Sequence, residues 1–116
     1  MQSIESEIQE KGLTAPRITP TDIELNIVHE FYFSAADGAR GESGGFIERH
    51  TGTPTCLDCL TFCVLVLRNG FTVTGESTCA SPENFDSAIG KKIAHQNAVN
   101  KIWPLMGYEL RSKLST

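Results

Sequence analysis

No stretch of the 116 residues approaches the roughly 18 consecutive apolar positions that a membrane-spanning helix requires. A basic surplus is missing too: 10 Lys and Arg face 14 Asp and Glu, a net charge of −4. That balance argues against a general binder of nucleic acid or of anionic membrane. The opening Met1-Gln2-Ser3-Ile4-Glu5-Ser6-Glu7 is acidic and has no apolar centre, unlike a secretory signal. No glycine-rich phosphate loop follows a strand pattern. The only histidines are His29, His50 and His95, scattered without a nucleophile–base spacing. Neither an enzyme nor a cofactor is expected.

What is present fits one domain. Its charge is uneven. From Met1 to Glu30, six acids against two bases leave −4. From Lys91 to Thr116, five bases against one acid leave +4. A basic tail within an acidic chain suits a small enclosed anion, or an acidic end of the same chain or of another copy.

Residues 1–18 read as an N-terminal arm, punctuated by Gly12 and Pro16, and 19–116 as a single domain. Thr19-Pro20-Thr21-Asp22 is a helix start, with Thr19 as N-cap, Pro20 at the first position and Asp22 at the positive end of the dipole. Ile23, Ile27 and Phe31, four apart, extend that helix to Phe31-Tyr32-Phe33. Residues 40–58, rich in glycine, read as a long flexible loop or a ragged hairpin. Leu60–Leu67, Asn69-Gly70 and Phe71–Gly75 then predict a hairpin with a type I′ turn. Its first strand is apolar on both faces, hence central and covered on each side. A second helix is predicted from a Ser81 cap to about Trp103, where Pro104 stops it. Its apolar stripe includes Phe85, Ile89, Ile93, Val99, Ile102 and Trp103, with Lys92 and Gln96 in the middle. Gly107–Arg111 reads as a closing strand. The fold class is α+β: an antiparallel, hairpin-centred sheet with one helix before it and one long helix after it.

Two sets of side chains draw chemistry. Cys56, Cys59 and Cys79, with His50, have the makings of a zinc site. The other reading of the thiols is inert and cytosolic, with Cys63 a small buried hydrophobe. The polar interruption of the second helix has two readings as well. Either Lys92 snorkels at the margin of the core, or the helix borders a subunit interface or a small-ligand recess.

The strings Tyr32–Gly38, Leu60–Leu65, Asn69–Ser77, Ser81–Asp86, Ile89–Ala94, Asn97-Ala98, Lys101–Leu105 and Gly107-Tyr108 resemble, in order, the small phage proteins grouped with gene 49 of phage N4 and gene 66 of phage Sf6. That family is similar to the first Thoeris anti-defence protein, a sponge for cyclic ADP-ribose-type and some cyclic oligonucleotide signals. The resemblance implies a homo-oligomer in the host bacterial cytoplasm that sequesters its ligand uncleaved, with pockets at subunit junctions. Within the matching strings, chemistry singles out Phe71 and Phe85 for base stacking. Arg68, Lys91, Lys92 and Arg111 are chosen for phosphates, and Asn84 and Asn97 for polar edges. The rival reading is a module that inhibits a host protein, or a zinc-stapled adaptor. The Cys-bearing segment 40–58 and the acidic arm are extra to the strings that carry the resemblance.

Overall fold

The computed structural model describes residues 3–116, apart from the side chain of Glu48. Helix α1 (Ile4–Glu10) buries none of its side chains and is tied back by a two-pronged Arg17–Glu5 pair at 2.8 Å. Helix α2 (Pro20–Asn26) starts where the sequence places it. Thr19 Oγ1 accepts from the Asp22 amide at 3.2 Å, and Asp22 Oδ2 accepts from the Thr19 amide at 2.9 Å.

The helix ends seven residues earlier than its apolar spacing predicts. Ile27–Ser34 is strand β1, so Phe31-Tyr32-Phe33 is extended. β-branched and aromatic residues crowd this stretch and favour a pleated surface over a helix turn. At the boundary, the Asn26 carbonyl accepts from the Arg68 amide at 2.9 Å, which binds the helix end to the hairpin.

Residues 40–58 are largely helical in place of the loop expected there. Ser34 and Asp37 form a second capping box that starts α3 (Ala35–Ser43). Gly44 and Gly45, both at positive φ, turn the chain into α4 (Phe46–His50), and a 3₁₀ turn follows over Thr55–Cys59.

Strands β2 (Leu60–Leu67) and β3 (Thr72–Thr78) complete an antiparallel sheet of order β1-β2-β3. Their turn is not type I′, because Asn69 keeps a negative φ and only Gly70, at +90°, is left-handed. The Gly70 amide donates to Leu67 O at 2.9 Å and the Leu67 amide to Phe71 O at 2.8 Å, the pattern of a three-residue loop closed by a glycine bulge. Strand β2 is central as predicted. One of its faces is buried (Thr61, Cys63, Leu65, Leu67), while Phe62, Val64 and Val66 on the other are only half-buried.

Helix α5 (Ser87–Leu114) lies on the buried face. Asp86, not Ser81, caps it, its Oδ1 accepting from the Ile89 amide at 3.1 Å; Pro82–Asn84 is a separate 3₁₀ turn. Pro104 lies inside the helix without ending it, and the predicted strand 107–111 is helical. Proline removes one amide and leaves the rest of the ladder intact on either side.

The largest correction is which side of α5 faces the core. Gly90, Ala94, Ala98 and Ile102 are buried, whereas Ile89, Ile93 and Trp103 are exposed. The cause lies across the interface at Gly75, where a Cβ would run into the Ala94 carbonyl and the Ala98 backbone. Helix and strand meet backbone to backbone, so only small side chains fit between them. The core is Ile23, Cys63, Leu65, Leu67, Val73, Ala94, Ala98 and Ile102.

Candidate functional site

Strand alternation places Glu30 and Tyr32 on the α5 side of β1, two residues apart and directed the same way. There they meet His95. Tyr32 donates its hydroxyl proton to Glu30 Oε1 at 2.8 Å. His95 Nδ1 lies 3.1 Å from both the Tyr32 hydroxyl and Glu30 Oε1. The single tyrosine proton is committed to Glu30, so both contacts of Nδ1 are attractive when that nitrogen carries a proton. Nε2 is then the uncommitted ring atom. Partial burial, followed by the bond to Glu30, pushes the Tyr32 hydroxyl well above the ordinary phenol range. Beneath it, burial raises the Cys63 thiol.

Lys91 and Lys92, one turn before His95, stand at the rim of this trio. Together the five residues line an open cleft of about 580 Å³. Among the described residues neither lysine has an ion-pair partner, which leaves two positive charges facing the single carboxylate of Glu30. The arrangement suits an anion with hydrogen-bonding edges.

A second groove, of about 750 Å³, runs between α2, the hairpin turn and the C-terminal half of α5. Arg68 and Phe71 line it, with Leu25, Leu105 and Met106. Its cations are engaged. Arg17 is clamped to Glu5, and Arg68 Nη2 donates to Leu25 O at 2.9 Å. Asp22 and Glu109 also border it, so this groove attracts phosphate less than the first does.

The eight residues chosen from sequence are therefore divided. Lys91 and Lys92 share one cleft, Arg68 and Phe71 the other. Asn97 Nδ2 donates to Glu76 O at 2.8 Å and serves to pin α5 to β3. Asn84 ends the 3₁₀ turn before α5, and the Phe85 ring lies close to Gly90. Arg111 is exposed near the end of α5 and lines neither cleft.

The Cys79 amide donates to Cys59 O at 3.1 Å, so these two cysteines are neighbours, but Cys56, Cys59, Cys79 and His50 do not assemble into a metal-holding group. Among the described residues no three His, Cys, Asp or Glu side chains group closely enough to hold a metal ion. His50 stacks on Phe46 with ring centres 4.1 Å apart, and Cys79 Sγ donates to Ser81 O at 3.1 Å. Cys56 is exposed, whereas burial raises the Cys59 thiol.

Sequence reading missed Glu30, Tyr32 and His95. Glu30 and Tyr32 fall on one face only once 27–34 is read as a strand.

The chain belongs to the phage protein (N4 Gp49/phage Sf6 gene 66) family, whose model matches residues 18–114. No curated protein and no solved structure matches it. Among the described residues no helix is long and apolar enough to cross a membrane.

Proposed function

We propose that this member of a phage family is a non-enzymatic binder of cyclic nucleotide defence signals, of the cyclic ADP-ribose and cyclic oligonucleotide kinds. It acts in the host bacterial cytoplasm and assembles with copies of itself. The observation that carries the reading is the pair Lys91 and Lys92, without ion-pair partners among the described residues, beside the Tyr32 and His95 rings in an open cleft. In this reading the lysines answer the phosphates, and the His95 and Tyr32 rings offer flat and polar surfaces to a base or ribose. Arg68, Phe71, Asn84, Phe85, Asn97 and Arg111 do not reach this cleft within one protomer. They join the same ligand only where a second copy brings them to a shared junction.

Isothermal calorimetry against cyclic ADP-ribose isomers and cyclic oligonucleotides tests the reading. Saturable binding is expected, with the nucleotide recovered intact after the protein is denatured. Replacing both lysines (Lys91→Ala with Lys92→Ala) should weaken binding by at least tenfold, since each charge-assisted contact contributes about 1.5–3 kcal/mol. A flat titration with every nucleotide sinks the reading, and a cleaved product shows turnover in its place.

The half-open sheet face favours a second reading. Phe31 and Phe33 are exposed there on an apolar surface that suits a host protein. Nucleotide silence together with specific retention of one host protein would promote that reading.

A further inference from the structure

The two lysines of the open cleft offer only donors, three on each ammonium and no acceptor. A bare anion would satisfy them. Glu30, Tyr32 and His95 bring the opposite chemistry to the same cleft, and the order of their protons decides what it can recognise besides charge.

Tyr32 carries one proton and gives it to Glu30 Oε1 at 2.8 Å. Partial burial, then that bond, raises the hydroxyl far above the ordinary phenol range, so the proton stays where it is. Glu30 Oε1 and the Tyr32 oxygen are left as acceptors, each 3.1 Å from His95 Nδ1. Two acceptors around one ring nitrogen hold a proton on it. In the neutral imidazole the other nitrogen, Nε2, then keeps a bare lone pair. Among the described residues nothing donates to it. Turning the ring over would set a carbon against Glu30 in place of Nδ1 and forfeit both contacts.

The frame behind the trio is rigid. Ala94, the neighbour of His95 on α5, is fully buried, and its carbonyl lies where a Cβ on Gly75 would fall. Rotation of the helix is blocked there, so His95 keeps its direction toward β1. Tyr32 pairs with Cys63 in the central strand and packs against the core. An acceptor held in advance costs a ligand little to order.

We propose that His95 Nε2, kept free of a proton by Glu30 and Tyr32, accepts a hydrogen bond from the ligand and so selects what the lysines alone would not. The ligand class is a phosphate ester that carries a hydrogen-bond donor near its phosphate. Ribose hydroxyls and the exocyclic amine of adenine both qualify. A deoxyribose, or a base with a carbonyl in place of the amine, lacks that donor. His95 is the binding residue, and Glu30 and Tyr32 are positioning residues that act through it. The inference rests on the nucleotide-binding reading above and adds the group that discriminates. Exposure sets the size of the effect: the side chains of His95 and Glu30 are 35% and 45% exposed. Water replaces part of a lost bond in so open a site, which leaves a preference of about fivefold to tenfold.

Heteronuclear NMR of the imidazole ring at alkaline pH tests the tautomer on the full chain. The Nδ1–H form is expected for His95, and Glu30→Ala should return it to the Nε2–H form that is commoner in water. A wild-type ring in the Nε2–H form overturns the inference, and so does a ring unmoved by Glu30→Ala. Calorimetry then compares cyclic ADP-ribose and cyclic di-AMP, each beside its 2′-deoxy and its hypoxanthine counterpart. One replacement should weaken binding by about fivefold or more. Loss with the deoxy form identifies a ribose hydroxyl, and loss with the hypoxanthine form the adenine amine. His95→Phe keeps a flat ring without the acceptor, and should bind all three forms alike. Equal affinities in the wild type, or a preference that His95→Phe retains, overturn the inference and leave nucleotide binding standing. No binding of either parent probe also overturns it, and a flat titration with every nucleotide removes the function proposed above as well.

Discussion

At Gly75 the helix and the sheet come closer than a side chain permits, and the residues facing it follow from that contact. Gly75→Ala would set a methyl group against backbone atoms of Ala94 and Ala98, which yield only if the whole helix shifts. Overpacking of this kind costs about 1–3 kcal/mol. We expect a matching fall in the denaturant midpoint, while Gly38→Ala, in open space within α3, raises it slightly. An unchanged midpoint for Gly75→Ala would refute the close approach. At this scale the sequence was legible where local chemistry decides the outcome. Thr19, Pro20 and Asp22 form the expected cap because a cap needs only its own neighbours. The large apolar residues of α5 misled, because their inward or outward placement depends on a glycine in another strand. The candidate site was half legible. Lys91 and Lys92 show themselves by type, whereas Tyr32 and His95 are 63 residues apart and meet only through the fold.

Among the elements, α1 shows how little can hold a helix in place. Its seven residues are too few to persist alone in water, and the Arg17–Glu5 clamp supplies its attachment. Hydrogen bonds from Arg17, then from Gln9, hold the Glu5 carboxyl down at about 2, below its ordinary 4.5. A depressed carboxylate stabilises above its unfolded value and loses that contribution as pH falls. The tether should therefore be complete above pH 4.5 and released toward pH 2. Arg17 side-chain resonances followed by NMR should move with a midpoint near 2. A midpoint between 4 and 5 would show that the clamp does not form in solution. The misread ends of α2 and α5 have a common origin. A period of four ran on past Asn26 into a strand, and Pro104 was given the power to stop a helix whose neighbours hold it together.

Taken whole, the molecule is a three-stranded sheet with one long helix across it, and the α+β class was legible from the hairpin and the helix alone. The order in which its parts connect has a kinetic consequence. Strands β2 and β3 are joined by four residues, Arg68–Phe71, whereas β1 reaches β2 across 25, Ala35–Cys59. Closing the longer connection costs about 1.6 kcal/mol more in chain entropy. We therefore expect the hairpin with α5 laid over Gly75 to form the folding nucleus, with β1 docking after the barrier. In stopped-flow experiments Val73→Ala should slow refolding, whereas Ala36→Gly, in the long connection, should mainly hasten unfolding. The reverse assignment would place β1 in the nucleus. With β1 arriving last, Glu30 and Tyr32 reach His95 only at the final step, so the lysine cleft is complete only in fully folded chains.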